Sequence, residues 1–482
     1  MNLSSTVLQA PRFRLLTDDQ LEEIYCAARE ILRRTGVDVL EPQARELLRA
    51  AGVSFDGVRA RISPHLIDWA VRTAPSRVVL CDSRNGKPSM YLEGTRSYYG
   101  TGSDTMATYD LYSGKRRSPV KTDVANAARL ADALPHIDFV MSMGIPHDVP
   151  GEITDLHNFE TMVLNTSKPI IATAWNEDNL KDIVEMAELV AGGEEALRLN
   201  PFIIMYSEPI SPLQLALEPT QKILYMASKG LPVICGTGKV GGATAPVTIA
   251  GALAQGTAES LAGVLVAQLT REGSPVIFGG ERLHMDMSTT LSCYGAPEFM
   301  MSVAANAEMA TYLGLPSWCY AGCSDAKSFD QQAAAEATMM SFLAGLSGGN
   351  LNHDVGYLEA GLTSSLEALV ASNETIGALK RILGGIKVSA ETLALDVIDQ
   401  VGPGGEFLSS THTLKNFRKD WLPTISDRGT FEAWEQGGQR PLGLRANEVA
   451  REILETHPAP SLPQPVVKGL SQTLERATFR LA

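Results

Sequence analysis

The chain has 482 residues, 44% of them apolar, and a net charge of −14 from 41 basic and 55 acidic side chains. This ordinary globular composition allows a large core, while the acidity argues against nucleic acid or an anionic membrane as partner. No uncharged apolar stretch reaches the roughly 18 residues of a membrane span; the opening MNLSSTVLQAPRFRLL lacks a signal-peptide pattern, and six scattered cysteines make no disulfide framework. A cytoplasmic protein is expected.

In chain order, residues 17–34 predict an amphipathic helix with Thr17 as N-cap, Gln20 at the third helical position and Gly36 after its end. Helices over 42–52 and 63–74 and β-like segments up to RSYYGTGSDTMATYDLYSGKRR complete an α+β cap over residues 1–120. A helix over 122–134 leads to a first strand at 137–143. Five short apolar runs then begin at Pro169, Pro201, Pro232, Pro275 and Pro316, at intervals of 32, 31, 43 and 41 residues. Each precedes a helix-like stretch, which is the period of a βα unit. The runs are apolar on both faces, as parallel strands covered on both sides must be. The expectation is an α/β fold, a (β/α)8 TIM barrel over residues 121–400. A seventh strand fits 348–354, and residues 386–400 are either an eighth strand or helical. Residues 401–482 form a C-terminal appendage and tail: a Gly-rich aromatic segment expected to pack, then PAPSLPQP and a last short helix.

In such a barrel, chemistry sits at the carboxyl ends of the strands. The residues there are Trp175, Glu208, Glu281, Arg282, Trp318, Tyr320, Asp325, Lys327, Gln331, Gln332, His353 and Tyr357, with Tyr98 and Tyr99 from the cap. Aromatic faces with carboxylates attract a cation that has no N–H to donate. Asp325, His353 and Glu208 are the candidate catalytic residues and the others candidate substrate contacts; His157 and His284 rank lower. Gly236, Gly238 and Gly241 match a dinucleotide fingerprint, but no acidic residue ends a strand about 20 positions on, so a flexible loop is the better reading. Cys235, Cys319 and Cys323 lack a companion His or second pair, so they are read as buried thiols and no metal site is expected.

The segments TGVDVLEP, YYGTGSD (98–104), GGATAPVTIAGALAQG (241–256), AGCSDAKSFDQQAA (321–334), GGNLNHDVGYLEAG (348–361) and GPGGEFLSSTHT resemble the trimethylamine methyltransferase superfamily, specifically its members without pyrrolysine that act on glycine betaine. The resemblance covers nearly the whole chain. It implies a barrel enzyme that binds no cofactor directly and moves a methyl group to the cobalt of a corrinoid (cobalamin) carried by a separate methyl-acceptor protein. Trimethylamine enzymes of the family carry pyrrolysine; this chain has only standard residues, with Asp325–Gln332 the segment expected to hold the equivalent position. A quaternary amine is therefore the expected substrate, glycine betaine ahead of proline betaine, carnitine or trimethylamine. Lys327, Arg282, His353 or Gln331 and Gln332 would hold a betaine carboxylate. The cap and the Gly236–Gly242 loop are expected to dock the corrinoid, and the chain is expected to form a homo-oligomer. The alternatives are a corrinoid-independent lyase or decarboxylase using Asp325, Lys327 and His353, and a non-catalytic betaine-binding protein.

Overall fold

A computed structural model describes residues 11–481; the start of the stretch read as lacking a signal peptide, residues 1–10, lies outside them. The helix Asp18–Arg34 begins where the sequence places it. Thr17 Oγ1 accepts from the Gln20 amide while the Gln20 side chain accepts from the Thr17 amide, two otherwise orphaned donors satisfied reciprocally. Its buried stripe, Leu21, Ile24, Ala28 and Leu32, lies on the helix Ile249–Thr270. That second helix is long and apolar enough to cross a membrane by composition alone, but the window is 83% buried between the amino-terminal helices and the strands. Its apolarity is that of a core helix.

The strands form a closed cycle of parallel pairings. Ile170–Ala172 pairs with Ile203–Ser207, which pairs with Val233–Cys235, which pairs with Val276–Phe278. Single parallel bridges carry the cycle from Phe278 to Ser317, from Val140 to Ile170 and from Phe139 to Gly100. Trp318–Tyr320 pairs with Leu351–His353, which pairs with Tyr98–Tyr99, completing a ring of eight segments. A helix follows each segment, from Lys121–Ala133 to Leu366–Leu383. The five prolines stand at one end of their strands, where a missing N–H costs the ladder nothing. The eighth segment is not at 386–400, which is helical over Ala390–Leu393 and Leu395–Val401. It is Tyr98–Gly100, inside the stretch expected to be cap alone.

Alternation sorts each strand into two faces. Phe139, Met141, Ile171, Ile204, Ile234, Ile277, Trp318 and Leu351 meet inside the ring. Their neighbours Ile170, Ile203, Met205, Val233, Val276 and Phe278 pack outward against the helices. Both faces are dry, which explains the unbroken apolar runs. The hairpin of Val78–Cys81 and Pro88–Leu92 inserts Val78, Leu80, Met90 and Leu92 into the inner cluster. The Cys81 amide donates to the Pro201 carbonyl at 2.8 Å, which fixes the hairpin at the amino ends of the strands. The ring is thus plugged at one end, and the carboxyl ends face outward.

The segment 384–440 corrects the expectation of a packed appendage. It is an arm of short helices whose apolar side chains stand in solvent, with Ile386 85% and Leu408 84% exposed. Glu374 anchors its far side. Glu374 accepts from the amides of Thr424 and Ser426 at 2.8 and 2.9 Å and from the Thr424 hydroxyl at 2.6 Å, beside buried Ile425. Burial works to raise the Glu374 carboxyl, but these donors outweigh it and hold the group below its ordinary value. The helices Leu442–Thr456 and Gln464–Phe479 then return to pack on the ring's outer helices.

Candidate functional site

At the carboxyl end of the ring the inward positions change from aliphatic to aromatic. Two residues beyond Ile204 stands Tyr206, and two beyond Trp318 stands Tyr320. The His353 ring stacks on Trp318 at 3.9 Å and 8° and lies 4.2 Å from Tyr320. Tyr206 is 5.5 Å from Trp318, and Tyr294 lies edge-on to Tyr320 at 5.6 Å. Room for these rings comes from glycines at matching inward positions. A Cβ on Gly236 would come 3.3 Å from the Tyr206 ring, and one on Gly279 would come 3.2 Å from Trp318. A Cβ on Gly238 would overlap the Glu208 carboxylate, and one on Gly241 the Arg282 guanidinium. The glycines that mimic a dinucleotide fingerprint are therefore space left for neighbouring side chains, not a flexible loop.

The charge of the mouth lies among these rings. Glu208 accepts from the Tyr206 hydroxyl at 2.8 Å. Burial raises its carboxyl above the ordinary value, against the pull of that hydroxyl and of His353, Lys222 and Lys239. His353 Nδ1 is 2.7 Å from Asp354 Oδ1, which orients the imidazole, while buried Nε2 has no hydrogen-bond partner. Trp318 Nε1 and the Tyr357 hydroxyl are likewise buried and unpartnered. Buried polar atoms are normally paired, so Trp318 Nε1 and His353 Nε2, on two stacked rings, are free to meet a polar group of a ligand or a water. Farther out, burial raises the Asp104 and Asp155 carboxyls and lowers the Lys222 ammonium, which feels both of them and Glu208. Asp104 and Asp354 hold positive φ angles of 63° and 71°, a left-handed backbone that costs energy outside glycine.

Glu208, Trp318, Tyr320, His353 and Tyr357 thus join one cluster. The remaining expected contacts do not. Trp175 is 72% exposed, its amide held by Asp155 at 2.6 Å. Both oxygens of Asp325 accept from backbone, the amides of Tyr294 and Gly295 at 2.6 and 2.9 Å, so Asp325 positions Tyr294. Lys327 reaches only the Asp325 carbonyl; Gln331 and Gln332 are exposed at a helix start, Gln332 bonded to Glu336 at 2.9 Å. Tyr98 packs at the plugged end with its hydroxyl on the Tyr91 amide, and Tyr99 points outward to the Ser341 carbonyl at 3.0 Å. Both belong to the eighth ring segment, where Tyr98 is taken up by the plugging hairpin and Tyr99 faces the outer helices, so neither lines the mouth.

Glu281 lies behind the wall, where Asn306 Nδ2 donates to it at 2.8 Å; burial pushes its carboxyl up to about 8. Beside it Lys239, wholly buried, donates to the Glu281 carbonyl at 2.6 Å, and burial pulls its ammonium down to about 8. Arg282 is buried with Nη2 on the Val247 carbonyl at 3.0 Å. His157 and His284 contact Lys121 and Arg282 respectively. Cys235, Cys319 and Cys323 are buried free thiols; burial pushes Cys235 up to about 12. The sequence reading missed Tyr206, Asp104, Asp155, Lys222, Tyr294 and Asp354. Tyr206 was findable, since it shares the inward face with Glu208.

A sequence model of the trimethylamine methyltransferase family matches residues 2–481. The chain is 34% identical over 461 residues to trimethylamine methyltransferase MttB of Desulfitobacterium hafniense (strain DSM 10664 / DCB-2), covering 95% of this chain and 93% of that one. It is 29% identical over 455 residues to the glycine betaine methyltransferase of D. hafniense (strain Y51), covering 94% of each. The solved monomethylamine methyltransferase (MtmB) of Methanosarcina barkeri superposes with a TM-score of 0.52 at 12% identity, over 93% of this chain and 90% of that one, a likeness of fold alone.

Proposed function

The chain belongs to the trimethylamine methyltransferase family, and on that premise we propose that it moves a methyl group from a quaternary amine, glycine betaine foremost, to the cobalt(I) of a corrinoid carried by a separate protein. The observation that carries this reading is Glu208 set among Tyr206, Trp318, Tyr320 and His353 at the open end of the ring. We read the ring as a (β/α)8 barrel and this end as its active face. The faces of the rings attract a fixed cation, and Glu208, reluctant to ionise in its buried setting, becomes its counter-ion once the cation is present.

In the reaction the acceptor's cobalt(I) attacks the N-methyl carbon opposite nitrogen. The C–N bond breaks, its electron pair stays on nitrogen, and a neutral tertiary amine leaves. No proton donor is needed, so the residues hold the cation, aim one methyl group at the opening and exclude water. Positive charge on nitrogen falls in the transition state, so a dispersed aromatic cage serves better than a tight ion pair. For a betaine, the carboxylate falls to the unpartnered donors Trp318 Nε1 and the Tyr357 hydroxyl, and to His353 Nε2 when the imidazole is protonated at both nitrogens, since Nδ1 is committed to Asp354. The six free cysteines fit a reducing compartment, the cytoplasm.

A second reading, trimethylamine itself, is favoured by one observation: identity is 34% to a trimethylamine methyltransferase against 29% to the glycine betaine enzyme. Against it stands the absence of any non-standard residue from the chain. The test is a panel of glycine betaine, proline betaine, carnitine and trimethylamine, each incubated with the protein and a cobalt(I) corrinoid and followed by methylcobalt absorbance. Turnover of betaines and not of trimethylamine is expected. Turnover of trimethylamine alone would refute the assignment, turnover without corrinoid would favour a lyase, and tight binding without turnover a binding protein.

A further inference from the structure

One aromatic ring of the mouth is not carried by a ring strand. Tyr294 follows the hairpin of Arg282–Asp286 and Leu291–Cys293, whose first strand pairs with Lys239–Val240 and whose outer end leaves Met287 and Leu291 in solvent. The Tyr294 ring stacks on Phe299 at 5.0 Å and 30° and stands edge-on to Tyr320 at 5.6 Å and 73°. It spans from the loop after Val276–Phe278 to the loop after Leu351–His353, where a Cβ on Gly361 would come 3.1 Å from its hydroxyl oxygen. Tyr320 ends the strand that lies between those two. Burial, with Asp354, Cys323 and Glu208 nearby, holds the Tyr294 hydroxyl well above its ordinary value, so its tip lies toward the charged part of the mouth. The backbone at this point is gripped by two carboxylates. Asp325 accepts from the successive amides of Tyr294 and Gly295 at 2.6 and 2.9 Å. Behind it Glu336 accepts from the Asp325 amide at 2.9 Å and the Ser324 hydroxyl at 2.6 Å, and a Cβ on Gly295 would overlap the Glu336 carboxylate.

We propose that Tyr294 is a further wall of the cation cage and that Asp325 is the positioning residue that holds it there, an inference that rests on the reading of the mouth as a quaternary-amine site. Tyr206, Trp318, Tyr320 and His353 take their directions from ring strands. Tyr294 stands on a loop, so its direction depends on what grips its backbone. A carboxylate offers an acceptor oxygen to each of two neighbouring amides; a side-chain amide offers one oxygen and sets its NH2 against the second N–H. Asp325 is thus suited to this grip as an aspartate and not as an asparagine. A cation resting on Tyr320 has Tyr294 as its next ring, and ring faces favour a cation over a neutral group of the same shape. Packing alone draws no such distinction.

Calorimetric titration of the full chain, without corrinoid, tests this with two probes: glycine betaine and its carbon analogue, in which a tert-butyl group replaces trimethylammonium. The quantity read is the ratio of the two affinities. Tyr294→Leu should lower the preference for betaine about 10-fold, and the conservative Tyr294→Phe should restore it to within about threefold of wild type. Asp325→Asn should lower the ratio in the same direction, by about fivefold, and should speed hydrogen exchange at the amides of Tyr294 and Gly295. Equal weakening of both probes in Tyr294→Leu would make Tyr294 a packing residue and overturn the proposal. A ratio that falls in Tyr294→Leu but stays at the wild-type value in Asp325→Asn would take the positioning role from Asp325. A wild type with no preference for betaine would instead bring down the cation reading of the mouth itself, and this inference with it. Near-ultraviolet circular dichroism checks folding; should Tyr294→Leu not fold, the ratio and the exchange rates in Asp325→Asn decide alone.

Discussion

At the ring mouth, Trp318, Tyr320 and His353 are held below a tenth exposed and stack on one another, yet the polar tips of Trp318 and His353 go unpartnered. In the arm the situation is reversed: the backbone is capped and turned in the usual ways, while Ile386 and Leu408 have almost nothing against them. Each region lacks what the other has. The mouth stacks its rings but leaves polar tips unpaired; the arm caps its helices but leaves apolar side chains uncovered. An unfinished polar inventory points to a small ligand, whereas an unfinished apolar one points to a macromolecular surface. The same chain therefore advertises two kinds of partner by two kinds of deficit.

The largest effect that would break this contrast lies at the mouth floor. Trp318→Ala should cost about 3–5 kcal/mol of folding stability, because the ring interior cannot collapse around the void; urea unfolding measures it, and a loss below about 1 kcal/mol would mean the stack is not a packed element. Next comes Glu208→Gln, which keeps shape and the bond from Tyr206 but removes the counter-charge. It should lower kcat/KM for a quaternary amine by about 100-fold, roughly 3 kcal/mol. Gly238→Ala, which drives a methyl into the same carboxylate, should fall in the same direction. Unchanged kinetics in both would remove Glu208 from the cation site.

The pH dependence sharpens the same point. Burial raises the Glu208 carboxyl, so in the free protein it is neutral below that raised value and ionised above it. A fixed cation favours the ionised form and pulls the proton off on binding. Affinity should therefore fall as pH drops through the raised value, and Glu208→Gln should flatten the profile; calorimetry in buffers of different ionisation enthalpy would reveal the released proton. A smaller effect is expected at His353. His353→Ala should weaken a betaine more than tetramethylammonium, by about 1–2 kcal/mol, and equal losses would take Nε2 out of carboxylate recognition. Smallest of all, Leu408→Ser should leave the stability of the chain within about 0.5 kcal/mol by urea unfolding, because Leu408 is 84% exposed.

How far the sequence reveals this molecule depends on the kind of signal. The ring strands were legible because Pro169, Pro201, Pro232, Pro275 and Pro316 recur before doubly apolar runs, and parallel strands leave no other pattern. Tyr98–Gly100 was not, because a two-residue strand flanked by polar residues has no periodicity of its own; its neighbours in the ring define it. Glu208 and His353 are reachable as residues at or just beyond strand ends, whereas Trp318 opens its strand and reaches the site only through the stack it makes with His353. Trp175, Gln332 and Asp325 were equally plausible on that rule, but the direction of a loop side chain is not written in spacing. Gly236 and Gly238 show the converse failure: sequence reveals a missing side chain, not which neighbour fills the gap. The arm's apolar residues predict a packed segment because apolar side chains seek cover, and composition alone does not reveal that Ile386 and Leu408 stand exposed.

The hairpin that plugs the amino end of the ring has a kinetic consequence. On the proposed reaction, the amine and its demethylated product share the open end of the ring, and the methyl acceptor docks over that same end. Once the acceptor covers that end, nothing beneath it can exchange. On that proposal the order of events is substrate first, acceptor second, and product trapped until the acceptor departs. Initial-rate patterns should be those of a compulsory-order ternary complex, with excess acceptor inhibiting by closing an empty vessel.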